Sequence, residues 1–100
     1  MESAALTIIV TYKTLPGKAE EFFKAVTESG VAAGVRQEPG NHGYHFYLPL
    51  EEKDTLVLIE KWDSKAAADA HAFTENVKKL SSFKPDYVLE THAVRYCIFE

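Results

Sequence analysis

The stretch Thr55-Leu56-Val57-Leu58-Ile59-Glu60-Lys61-Trp62, followed by Asp63-Ser64-Lys65-Ala66-Ala67-Ala68-Asp69-Ala70-His71, decides the fold. Its first eight residues are rich in β-branched and aromatic types and read as a strand. Alternation places Leu56, Leu58 and Trp62 on one face and Val57 and Ile59 on the other. A sheet with one wet face would alternate more cleanly, so both faces of this strand are expected to be covered. Asp63 or Ser64 can then accept a hydrogen bond from a free N–H of a first helical turn, and Ala66, Ala67, Ala70 and Phe73 follow at helical spacing. Phe73, Val77 and Leu80 continue that stripe until Pro85.

Upstream, Leu6 to Tyr12 reads as a strand that ends at Pro16-Gly17. From Lys18 the period changes: Ala19, Phe22, Phe23 and Val26 fall on one face of an amphipathic helix. Gly30 and Gly34 weaken its later turns, each by about 1 kcal/mol relative to Ala, and Glu38-Pro39-Gly40 ends it. His42 to Leu48 is a second strand, joined to Thr55 to Trp62 by the polar link Pro49 to Asp54, short enough for an antiparallel hairpin. Tyr87 to Phe99 is the last strand. The order is βαββαβ, an α+β chain of ferredoxin-like arrangement with a four-stranded antiparallel sheet. No repeat, low-complexity tract or linker interrupts it, so residues 1 to 100 read as a single domain. Two helices cover one face of such a sheet. The other face is also apolar, with Ile9, Val57 and Ile59, and the simplest cover is a second copy of the chain, which predicts a homodimer.

Composition narrows the partners. The chain has 100 residues, 46% hydrophobic and 26% charged, the balance of an ordinary globular protein. A net charge of −4 and a pI near 5.5 argue against nucleic acid, which requires clustered Lys and Arg, and against acidic membrane surfaces. Cys97 is the single cysteine, so no internal disulfide forms, and four scattered His offer no zinc spacing. Met1-Glu2-Ser3-Ala4 carries an acid where a secretory signal carries a base, and no apolar run approaches the roughly 18 residues of a membrane span, so a cytoplasmic location is expected. There is no glycine-rich nucleotide loop, flavin or nicotinamide fingerprint, or metal-ligand cluster, so no cofactor and no metal are expected.

A strand ending in Glu60-Lys61-Trp62, a helix capped by Ser64, and His71 nine residues after the Trp form one pattern. With Gly40-Asn41, Tyr44 and Phe46, and the Pro16-Gly17 turn, it resembles the antibiotic biosynthesis monooxygenase family over most of residues 5 to 95. The resemblance implies a small dimeric α/β barrel. It leaves the reaction open, because the same framework carries quinol oxidation, haem degradation and sugar-phosphate isomerisation, as well as proteins without known activity. For oxidation it implies that an electron-rich phenol or quinol is deprotonated between aromatic walls and its anion passes an electron to oxygen. The haem-degrading members pair a Trp with a His across the second helix and carry an Asn on the first strand. Here His71 and Ser81 stand at the paired positions and the first strand has no Asn.

Each candidate residue has two readings. Imidazole titrates near neutrality, which makes His71 the candidate proton-transfer group, or it is bonded to a carbonyl or exposed to water. Glu60 is a base with a raised pKa or a carboxylate paired with Arg95 or a His. Trp62 stacks on a planar substrate or belongs to the core or dimer interface. Tyr44, Phe46 and Phe83 line an apolar pocket or serve as plain core, as do Tyr47, Phe73 and Tyr96. Asn41 orients a ligand carbonyl or starts a turn. Cys97, near the end of the last strand, reads as a small buried hydrophobe. His42 and His45 point to opposite faces of an extended strand and cannot share an ion unless the strand bulges. The first functional reading, following the resemblance, is a cofactor-independent monooxygenase that oxidises a small aromatic substrate, a quinol or polyphenol, with molecular oxygen, with His71 as base and Trp62, Tyr44 and Phe83 as walls. Its alternatives are an isomerase of a small phosphorylated carbonyl compound, using His71, Glu60 and a phosphate site from Lys61, Lys65 and Arg95, or a dimeric module that binds a small ligand without turning it over.

Overall fold

Antiparallel pairing organises the chain into a four-stranded sheet of order β2-β3-β1-β4, seen in a computed structural model that describes residues 5–98. The strands are β1 (Ala5–Thr14), β2 (Asn41–Tyr47), β3 (Thr55–Trp62) and β4 (Val88–Ile98), and Phe99 of the expected last strand lies outside the described residues. β3 has the expected bounds and pairs with β2 as the hairpin reading requires. Two helices follow β1, α1 (Ala19–Glu28) and α2 (Val31–Arg36), and two follow β3, α3 (Lys65–His71) and α4 (Glu75–Phe83). The architecture is the ferredoxin-like α+β fold.

The helices cover one face, where Leu6, Ile8, Val10 and Tyr12 of β1 and Leu56, Leu58 and Trp62 of β3 are buried against Phe22, Val26, Val31 and Val35. The opposite face carries Thr7, Ile9 and Thr11 beside Val57, Ile59 and Lys61, flanked by Val94 and Tyr96 of β4 and His45 and Tyr47 of β2. Val94, Tyr96 and Tyr47 are half exposed there. No helix among the described residues is long and apolar enough to cross a membrane.

Both expected helices are broken in two. Gly30 takes φ +87°, a left-handed value that ends α1 and re-aims the chain into α2, so the glycine interrupts the helix rather than merely weakening it. The second break falls at Ala72 to Thr74. Thr74 leaves the helical region and its hydroxyl accepts the Val77 N–H, capping α4, while Ser64 does the same for α3 by accepting from Ala67. The break swings Phe73 out to 82% exposure, which corrects its reading as part of a buried stripe.

Gly40, at φ +84°, makes the turn into β2 and lies so close to α3 that a Cβ there would stand 2.6 Å from the Ala67 Cβ. Gly40→Ala therefore meets both backbone strain and a clash. We expect it to lower stability by about 1–3 kcal/mol. In a domain of this size that is a fall in Tm of roughly 4–8 °C per kcal/mol. An unchanged melting temperature would refute the close packing of this turn on α3.

Candidate active site

Alternation along β3 puts Glu60 and Trp62 on the helix-covered face, in a row with Tyr44 of β2 and Ile8 of β1. Two positions apart on one strand, the two side chains meet: the Trp62 Nε1–H donates to Glu60 Oε1 at 3.0 Å. The last turn of α3 lowers His71 onto this pair, its ring centroid 4.8 Å from that of Trp62 and 6.2 Å from that of Tyr44. His71 Nε2 lies 3.8 Å from Glu60 Oε1. Its Nδ1 is 2.7 Å from Oε1 of Glu38, in the turn between α2 and β2. Glu38 Oε2 accepts from Asn76 Nδ2 at 2.7 Å and from the Thr74 hydroxyl at 3.1 Å. The side chains of Glu38, Glu60 and His71 are 8%, 9% and 13% exposed, so three titratable groups share a nearly dry cluster. The two ring nitrogens face different carboxylates, an arrangement that does not converge on one metal ion.

Burial pushes the Glu60 carboxyl above the usual carboxylate range, and Glu38 pushes the same way. The Trp62 hydrogen bond and the charges of His71 and Arg95 oppose the rise without cancelling it. Burial likewise raises the phenols of Tyr12 and Tyr44, which stay protonated at neutral pH. An acid whose folded-state pKa is raised binds its proton more tightly when folded. Its contribution is thus fully present below the ordinary carboxylate value and is lost as pH rises through the raised one. Glu60→Gln removes that loss and keeps an oxygen for the indole N–H. The variant should gain Tm relative to the parent as pH rises from about 4 to 8, and parallel thermal melts that keep a constant offset would contradict it.

His71, Glu38 and Thr74 form one end of an open cleft of about 410 Å³ whose walls are Pro39, Gly40, Asp63, Ser64, Ala66, Ala67 and Ala70. Trp62 and Tyr44 lie behind His71, each 1% exposed, and support it rather than line the opening. A second cleft, of about 420 Å³, is lined by Phe23, Phe46, Tyr47, Leu48 and Leu56, with Glu20 and Lys24 at its edge. It contains no buried titratable group, so the His71 cleft is the candidate site. Of the other sequence candidates, Phe46 belongs to the second cleft and meets Phe23 and Tyr44 edge to face. Phe83 packs on Phe22 and Tyr87. Asn41 uses its amide to bond the Gly43 carbonyl, which is the turn reading. The β2 register shifts between Asn41 and Gly43, yet His42 pairs with Asp63 while His45 stands on the opposite face, so they share no ion. Cys97, expected to be buried, is exposed because it lies on the edge strand β4.

The cations expected to form a phosphate site do not gather. Lys61 points to the far face of the sheet, and Lys65 and Arg95 both bond Asp69, holding its carboxyl below the usual range. Arg95 is therefore not the hydrogen-bonding partner of Glu60; Trp62 is, with His71 Nε2 facing the same oxygen from 3.8 Å. Glu38 is the residue that reading the sequence missed.

The chain is thus a small ferredoxin-like α+β protein with a histidine–carboxylate cluster between its sheet and its helices. The sequence profile of the antibiotic biosynthesis monooxygenase family matches residues 5–81, and the chain belongs to that family. Among curated relatives, "Probable quinol monooxygenase YgiN" of Escherichia coli is 29% identical over 96 residues, covering 85% of this chain and 89% of that protein. An uncharacterized Synechocystis protein is 29% identical over 83 residues, covering 83% of this chain; the chain spans 55% of that relative's length. Among solved structures, PA3566 of Pseudomonas aeruginosa superposes with a TM-score of 0.84 at 23% identity, over 100% of this chain and 99% of that one.

Proposed function

We propose that this protein is a cofactor-independent monooxygenase that oxidises a small quinol or polyphenol with molecular oxygen. The observation that carries the reading is His71, a base at the end of an open cleft, oriented by one carboxylate and facing another against an indole. An imidazole so held is suited to take a phenolic proton. The phenolate passes an electron to oxygen, the radical pair joins through a new C–O bond, and the resulting peroxide loses water. One oxygen atom stays on the ring as a carbonyl and the other leaves as water with the two hydrogens the substrate gave up. Pro39, Ala66, Ala67 and Ala70 offer an apolar wall for a planar ring, and exclusion of water beside Trp62 and Tyr44 strengthens the electrostatics of proton transfer. The name of the Escherichia coli relative supports the substrate class. The chain's lack of any nucleotide or flavin fingerprint supports chemistry driven by the substrate itself.

Oxygen uptake with a panel of hydroquinones and polyphenols tests the reading. Turnover above buffer is expected, and binding without uptake would replace it with a ligand-binding module.

The same reading makes the protein a homodimer closed through the uncovered sheet face, where Ile9, Val57 and Ile59 are flanked by half-exposed Val94 and Tyr96. Light scattering should give the mass of two chains. Ile59→Lys, with a charge at the centre of that face, should give one. A variant that remains dimeric would place the interface elsewhere.

A further inference from the structure

We propose that Glu38 is a positioning residue that fixes the tautomer of His71, holding the ring proton on Nδ1 and leaving the Nε2 lone pair turned toward Glu60 and Trp62. The inference rests on the reading of His71 as the base and adds which ring nitrogen carries the proton. Two carboxylates compete for the single proton of the neutral ring. Glu38 Oε1 lies 2.7 Å from Nδ1, within hydrogen-bond range, whereas Glu60 Oε1 lies 3.8 Å from Nε2, beyond it. The near carboxylate wins, so Nδ1–H donates to Glu38 and Nε2 is the free base.

Glu38 is itself held for this role. It sits in a turn, where a carboxylate would ordinarily face water, yet its side chain is 8% exposed. Its second oxygen accepts the Asn76 amide, and the Thr74 hydroxyl lies within reach of both that oxygen and the His71 carbonyl. The first turn of α4 thus supplies donors to the carboxylate that orients the last residue of α3. Gly34 completes the arrangement. In the middle of α2, where glycine costs about 1 kcal/mol relative to alanine, a Cβ would collide with the Asn76 side-chain amide. The helix gives up that stability at the one place where Asn76 needs room to reach Glu38.

The test is nitrogen-15 NMR of the His71 ring at a pH where it is neutral, with oxygen uptake measured alongside. In the unmodified protein we expect a protonated, pyrrole-type Nδ1 and a pyridine-type Nε2. In Glu38→Ala the only carboxylate left beside the ring, among the described residues, is Glu60, so the proton should move to Nε2. Uptake should then fall mainly in kcat, by a factor on the order of 10² to 10⁴; exchanging the histidine-orienting carboxylate for an amide in the Ser-His-Asp triad lowers kcat by about 10⁴ through the same error of tautomer. A proton on Nε2 in the unmodified protein overturns the proposal even if the variant fails to fold, and so does an unchanged ring in Glu38→Ala. An inverted ring with unchanged uptake leaves Glu38 as the positioning residue and removes His71 as the base.

Discussion

Trp62→Ala is expected to remove about 3–5 kcal/mol of stability, the range for truncating a buried Trp or Phe. Trp62 is 1% exposed, stands between β1 and the end of β2, and is stacked on by His71. Its loss leaves a cavity and also strands Glu60, whose bond to the indole N–H is one of the influences that favour its charged form. A buried acceptor deprived of its donor adds to the cavity effect. Since a domain this size is stable by roughly 5–15 kcal/mol in total, the variant should sit near the folding threshold. Trp62→Phe separates the two effects: it keeps most of the packing and loses the hydrogen bond, for which about 1–2 kcal/mol is expected. Urea titration followed by circular dichroism measures both. An alanine variant within about 1 kcal/mol of the parent would mean that Trp62 is not packed as described.

His71→Ala is the counterpart for activity. Removing a general base lowers kcat by about 10² to 10⁴. Here the ring also separates Glu38 from Glu60, so its removal leaves two carboxylates facing one space. That repulsion argues for a second variant, His71→Gln, which fills more of the site. Both should retain the parent's circular dichroism spectrum and lose quinol-dependent oxygen uptake, and imidazole added to His71→Ala should restore part of it. Uptake unchanged in both variants would mean that His71 is not the base.

How much of this was legible in the sequence depends on the range of the signal. β3 was readable to the residue because its apolar run closes on Trp62 just before a helix-capping pair, of which Ser64 does cap α3. The breaks at Gly30 and Thr74 were not, since an apolar stripe continues across each and only the backbone shows that the glycine adopts positive φ and the threonine caps a new helix. The pairing of Glu60 with a histidine followed from a carboxylate among apolar neighbours, although its strongest partner proved to be an indole two positions away. Glu38 escaped because Glu-Pro-Gly reads as a helix stop. Its partners His71, Thr74 and Asn76 lie 33, 36 and 38 residues downstream, far beyond any local pattern. A threonine followed two positions later by an amide, after an alanine-rich helix, was the one trace of α4's role, and it is weak.

The alternation of β3 has a consequence for which length changes the chain can accept. Glu60 and Trp62 face the helices while Ile59 and Lys61 face away, and the side-chain period of a strand is two. Deleting one residue between Thr55 and Ile59 would slip the register and carry the carboxylate and the indole to the wrong side, bringing a lysine beneath His71. Extra residues are tolerable in Leu48 to Asp54, where the chain connects two strands at the far end of the sheet from Trp62. Homologues that keep the cluster should therefore differ in the length of that connection and hardly ever in the spacing from it to the tryptophan.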